Sequence, residues 1–101
     1  LGKKNLMAAV LPFEYTTKEM GVSVKTIEEI TRACVEMSKV KTGALIVIEQ
    51  EESLEEFTRT GIDIDAVVSS PLLINIFEHN TPLHDGAVVV RGDRVVSATC
   101  I

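Results

Sequence analysis

From residue 22 onward the apolar positions switch between two periods. Val24, Ile27, Ile30, Cys34 and Met37 recur at steps of three and four, the spacing of a helix with one apolar stripe, and Ser23 stands where an N-cap would. Glu28, Glu29, Arg32, Glu36 and Lys39 fall off that stripe and read as its solvated face. "GALIVIE" (43–49) is a short continuous apolar run after a glycine, which suits a strand covered on both faces. "SLEEFTRTG" (53–61) reads as a compact helix, with Ser53 and Glu56 spaced as a capping box and Gly61 where the helix would stop. "IDAVVSS" (64–70) reads as another strand. Ser70 and Pro71 then read as N-cap and first helical position of a helix carrying "LLINIF". "GAVVVRGDRVVSATCI" (86–101) has the pattern of a hairpin around the two-residue turn Gly92-Asp93.

Helices and strands that alternate before a closing hairpin predict an α/β domain: a mixed parallel and antiparallel central sheet flanked by helices. The 101 residues fit one domain, and the 46% apolar content, poor in aromatics, makes its core aliphatic. Residues 1–21 show no clean period and are read as an unassigned lead-in. Their apolar stretch "LMAAVLPF" is far shorter than the ~20 residues of a membrane span, is interrupted by Pro12 and lacks the layout of a signal peptide, so the chain as given is expected to be soluble. The net charge of −5 argues against broad nucleic-acid binding, because attraction to a phosphate backbone is missing. Cys34 and Cys100 form no C-x-x-C pair, which argues against a zinc site or a redox dithiol; both read as buried free thiols of a reducing compartment.

The stretch that the core pattern does not absorb is "NTPLHDGAVVV" (80–90). Val88, Val89 and Val90 read as buried strand, yet His84 and Asp85 stand directly before them. Loops at such junctions of α/β sheets collect ligands. Asp85 can bind a divalent cation or accept a proton, His84 can join a metal shell through an imidazole nitrogen, and Gly86 lets a phosphate or sugar approach the backbone. The competing reading is a polar turn, since Asp-Gly is a common turn dipeptide. Residue types alone leave both open. His79 and Asn80 look like ordinary loop residues, and Thr42-Gly43 like the start of a strand. The chain has no glycine-rich phosphate loop, nucleophile elbow or zinc motif.

The wider strings decide between the readings. "KTGALIVIE", "TGIDIDAVVSSPLLINIFEHNTPLHDGAVVV" and "VVSATCI" together resemble the diadenylate cyclase domain, specifically its membrane-associated bacterial type. Residues 22–101 are accordingly read as the N-terminal part of such a domain. The resemblance implies an enzyme that condenses two ATP into cyclic di-AMP with release of two pyrophosphates, using Mn2+ or Mg2+. It implies that the family's Asp-Gly-Ala motif falls on Asp85, Gly86 and Ala87. Asp85 is then the catalytic and metal-binding carboxylate, Asp85, Gly86 and Ala87 lie against the nucleotide, and His84 is a further metal contact. The partners implied are ATP and a second copy of the same domain, face to face, with no nucleic acid. Contact with the membrane would come only through segments outside this sequence, which places the domain in the cytoplasm of a parent protein attached to the bacterial membrane. The family's downstream Gly-Thr-Arg-His-Arg stretch, which grips the phosphates, does not occur in these residues. An alternative expectation is therefore a catalytically incomplete nucleotide-binding or dimerisation module.

Overall fold

A computed structural model describes residues 21–101; the lead-in expected over 1–21 lies outside them except for Gly21. The described residues form α1 (Val24–Lys39), β1 (Ile46–Ile48), α2 (Glu55–Thr58), β2 (Ile62–Val67), α3 (Ser70–Phe77), β3 (Ala87–Arg91) and β4 (Arg94–Cys100). The four strands make one sheet in the order β1-β3-β4-β2. β1 runs parallel to β3, and β4 is antiparallel to both of its neighbours, so the expected mixed sheet flanked by helices is the one observed.

β3 is the spine of the molecule. Alternation along a strand sends successive side chains to opposite faces. Val88 and Val90 enter a core with Ala33 and Met37 of α1 and Leu73, Ile76 and Phe77 of α3. Ala87 and Val89 enter a second core with Val47 and Cys100, flanked by Leu54 and Phe57. All of Ala87 to Val90 are fully buried, and each such valine contributes roughly 1.5–3 kcal/mol relative to exposure. β1 divides the same way, with Ile46 and Ile48 on the first face and Val47 on the second. The apolar run "GALIVIE" thus reflects two covered faces, although the paired strand is only three residues long.

Four local expectations need correction. The buried line of α1 is Thr26, Glu29, Ala33 and Met37; of the predicted stripe Met37 is fully buried as expected, Ile27 and Ile30 are half-buried, and Val24 and Cys34 are exposed. The cause is polar. Thr26 donates its hydroxyl to Asp93 Oδ1 (2.6 Å), and Glu29 Oε1 accepts the backbone N–H of Ser70 (2.7 Å), so both face inward. This orientation of α1 leaves Cys34 at the surface, so only Cys100 is a buried free thiol. α3 begins one residue early: Ser69 is its N-cap, accepting from Leu72 N (3.2 Å), because the N–H of Ser70 is held by Glu29. Finally, the Ser53–Glu56 capping box does not form. α2 starts at Glu55 after Leu54, whose N–H donates to Glu49 Oε2 (2.8 Å), and Ser53 Oγ accepts only from Glu55 N.

The hairpin turn is as expected, with Gly92 at the positive φ (+59°) that a two-residue turn demands. Asp93 does more than turn the chain. Its carboxylate accepts from Ser23 N (3.0 Å) as well as from Thr26, and its carbonyl accepts from Val68 N (2.9 Å). The hairpin tip is thereby tied to the start of α1 and the exit of β2.

Candidate active site at the entry of β3

The loop between α3 and β3 winds on itself before the strand begins. Thr81 N–H and Thr81 Oγ–H both donate to the carbonyl of Glu78, the hydroxyl at 2.7 Å. Thr81's own carbonyl receives His84 N–H (3.4 Å) and His84 Nδ1 (2.6 Å). Leu83 packs against the first core and anchors the loop from below. His79 sets its ring edge-on to that of His84, with centroids 5.7 Å apart.

This arrangement fixes the chemistry of His84. A carbonyl oxygen can only accept, so Nδ1 carries the hydrogen and the neutral ring presents the lone pair of Nε2. Nε2 faces Asp85 Oδ1 at 3.2 Å. Two acceptors at that separation repel each other unless a positive charge sits on or between them, either a proton on Nε2 or a metal cation. Asp85 has no other hydrogen-bond partner among the described residues, and its side chain is 85% exposed.

Gly86, next in the chain, lies against the end of β4. Its φ is +84°, and a Cβ there would stand 2.8 Å from Cys100 O and 2.8 Å from the carbonyl carbon of Thr99. No side chain fits, so the loop backbone lies directly on the strand. Thr99 is itself unusual. It takes the left-handed conformation (φ +59°) inside a β-bulge where β4 has one residue more than β3, and its hydroxyl is buried without a hydrogen-bond partner. A β-branched residue in that conformation costs roughly 1–2 kcal/mol. Lys41 and Asn80 are left-handed too (φ +59° and +69°), so three of the four such non-glycine residues described surround the His84-Asp85-Gly86 loop. Strain of this kind gathers at functional sites.

A cavity of about 680 Å³ opens beside the pair. One wall is His79, His84, Asp85 and Gly86 with Phe77 beneath; the other is the connection 40–45 between α1 and β1. The two walls are joined by the bond from Val88 N to Leu45 O (2.9 Å). α1 and α3 both end at this cavity, and helix C-termini carry partial negative charge that favours a cation. The cavity lies at the starting ends of the parallel strands β1 and β3, opposite to the carboxyl-end crevice of doubly wound sheets. A second cavity, about 470 Å³, lies near the hairpin tip, but there Arg91 is paired with Glu49 (2.6 Å) and Arg94 with Asp65 (2.9 Å).

His84, Asp85 and Gly86 are thus brought to one cavity wall. Ala87 is not: it is fully buried in the second core, and only its backbone adjoins the loop. Two contributors escaped the sequence reading. His79 is a wall of the site and a ring neighbour of His84, and residues 40–45 form the facing wall rather than the start of a strand, since β1 begins only at Ile46. The left-handed position after α1 had no sequence signal, because a lysine occupies it. Among the described residues no group of three or more His, Cys, Asp and Glu side chains converges on one point; on the cavity wall, His84 and Asp85 are the adjacent pair that could hold a cation.

Fold and loop together define an α/β domain with an imidazole–carboxylate pair at the entry of its central strand. The chain belongs to the DAC family, described as DisA bacterial checkpoint controller nucleotide-binding, whose family model matches residues 31–101. Similar to it is the cyclic di-AMP synthase CdaA of Bacillus subtilis (strain 168), 50% identical over 76 residues, which are 75% of this chain and 28% of that protein. A diadenylate cyclase of Listeria monocytogenes serotype 1/2a (strain 10403S) is 46% identical over 72 residues, 71% of this chain and 26% of that protein. The chain therefore spans little more than a quarter of the length of these relatives. Among solved structures, a double mutant of DacA from Staphylococcus aureus superposes with a TM-score of 0.74 at 40% identity, over 76% of this chain and 51% of that one. A hypothetical membrane spanning protein from Bacillus cereus gives 0.73 at 38% identity, over 94% and 45%. The family and the mixed-sheet fold expected from the sequence are both borne out. No helix among the described residues is long and apolar enough to cross a membrane.

Proposed function

We propose that these residues form the metal-binding half of a diadenylate cyclase site, one that joins two ATP into cyclic di-AMP and releases two pyrophosphates. The observation that carries the reading is the pair of acceptors, His84 Nε2 and Asp85 Oδ1, held 3.2 Å apart on a cavity wall and complementary to a cation. Two ligands suit Mn2+ or Mg2+, which fill their remaining positions with phosphate oxygens and water. A cation bound there offsets phosphate charge and lowers the pKa of a coordinated hydroxyl. Asp85 also stands exposed enough to take the proton of a ribose 3′-hydroxyl, and Gly86, lying flat on β4, holds it at the cavity wall. In each of two transfers a 3′-oxygen bonds to an α-phosphorus, the bond from that phosphorus to the bridging oxygen breaks, and pyrophosphate leaves. Ring closure needs each 3′-oxygen to meet an α-phosphorus held by another domain, so the working unit is two copies face to face. On this reading the domain works in the cytoplasm as part of a membrane-attached parent protein.

The test is product analysis. Full-length protein incubated with ATP and Mn2+ is expected to yield cyclic di-AMP by mass spectrometry, at a rate rising more steeply than linearly with protein concentration. ATP binding with no cyclic product at any concentration would replace this reading with that of a binding or dimerisation module.

A further inference from the structure

We propose that Lys41 is a contact for the outer phosphates of the nucleotide, acting from the wall of the cavity that faces Asp85; this rests on the function proposed above. α1 ends in a complete Schellman motif: Thr42 N–H donates to Met37 O (2.9 Å) and Lys41 N–H to Ser38 O (3.1 Å). Lys41 occupies the position of that motif where the chain turns left-handed, at φ +59°. Glycine is the favoured residue there, because any Cβ is penalised. Gly43 follows two residues later, outside the strained position.

A lysine at a helix C-terminus has an ordinary explanation in the helix dipole, but Lys39 already sits in the last turn and serves it. Lys39 is moreover paired with Glu36, whereas the ammonium of Lys41 has no hydrogen-bond or ion-pair partner among the described residues. Lys41 lines the same cavity as His84 and Asp85, and no arginine is among its lining residues. A triphosphate whose inner part is neutralised by a cation at Asp85 still carries uncompensated charge on its outer phosphates. Lys41 supplies the opposite charge across the cavity, and the Schellman turn, closed by two backbone bonds, keeps the residue at its rim.

Binding without turnover separates this role from a structural one. ATP, ADP and adenosine, each in its 3′-deoxy form so that no ring can close, are titrated calorimetrically in Mn2+ onto full-length wild-type protein, Lys41→Gly and Lys41→Arg. Lys41→Gly removes both strain and charge. It is expected to raise the melting temperature by about 2–4 °C and to weaken ATP roughly five- to tenfold, the scale of one charge-assisted contact. ADP should weaken less and adenosine not at all, and Lys41→Arg should keep ATP within about twofold of wild type. Equal weakening of ATP and adenosine, or no weakening of either, would overturn the assignment. Wild-type protein that binds no ATP would overturn the proposed function along with it, whereas binding that is intact in wild type and in Lys41→Gly overturns only the role of Lys41.

Discussion

The chain places an aspartate next to a glycine twice at a strand end, and the two aspartates have opposite surroundings. Asp93, in the hairpin tip, collects two donors from the start of α1, and these hold its carboxyl below the usual aspartate range. Asp85, at the entry of β3, faces the lone-pair side of an imidazole and receives no donor from the described residues. Glu29 extends the first pattern. Its buried carboxylate accepts Ser70 N–H, Lys25 and Arg32, which together hold its pKa at about 2. Two aspartates, each beside a glycine, are thus told apart by whether the chain itself supplies their complement. Where it does, the carboxylate is a structural staple; where it supplies another acceptor, the pair needs a positive charge from elsewhere, a proton on Nε2 or a cation.

The strongest perturbation of this contrast is Gly86→Ala. With φ at +84° and backbone atoms 2.8 Å from any added Cβ, the substitution must displace the loop from β4. It should cost about 3 kcal/mol or more in chemical denaturation, whereas Gly92→Ala, whose Cβ would meet nothing within 4 Å, should cost only the strain of its turn. Equal costs would show that the loop is not pressed on the strand.

A smaller effect is expected at the staple. Asp93→Ala removes the acceptor of Ser23 N and Thr26 Oγ1 and should cost about 1–2 kcal/mol, the scale of losing a helix cap at a solvent-exposed site. Unchanged stability would mean that the hairpin does not hold α1.

The acid limb of stability should come largely from Glu29. Its folded pKa of about 2 lies below the ordinary 4.5, so its contribution is complete above about pH 4.5 and is lost as pH falls towards 2. Glu29→Gln should therefore flatten the melting temperature over that window. A wild-type acid limb retained in Glu29→Gln would assign it to other carboxylates.

Much of this contrast was legible in the residue order, and some was not. The buried strand, the hairpin and the His84-Asp85-Gly86 junction are local patterns, and local patterns are what period and turn chemistry report. The rotated face of α1 was not legible, because Thr26 and Glu29 are polar residues drawn inward by partners 67 and 41 positions away in sequence. The facing wall at 40–45 escaped for the same reason: only the parallel pairing of β1 with β3 brings it to the loop. Lys41 and Thr99 hide their left-handed backbones behind side chains that rarely adopt them.

The most direct test of the account crosses the two aspartates in full-length protein, measuring manganese-dependent cyclic di-AMP synthesis and melting temperature for Asp85→Asn and Asp93→Asn. Asparagine keeps the size and turn preference of aspartate and removes its charge. Asp85→Asn should melt as wild type does and lose roughly a hundredfold or more of the rate. Asp93→Asn should melt lower and, while folded, keep most of it. An Asp85→Asn protein that folds and retains its manganese-dependent rate would contradict the account and leave Asp85 as a turn.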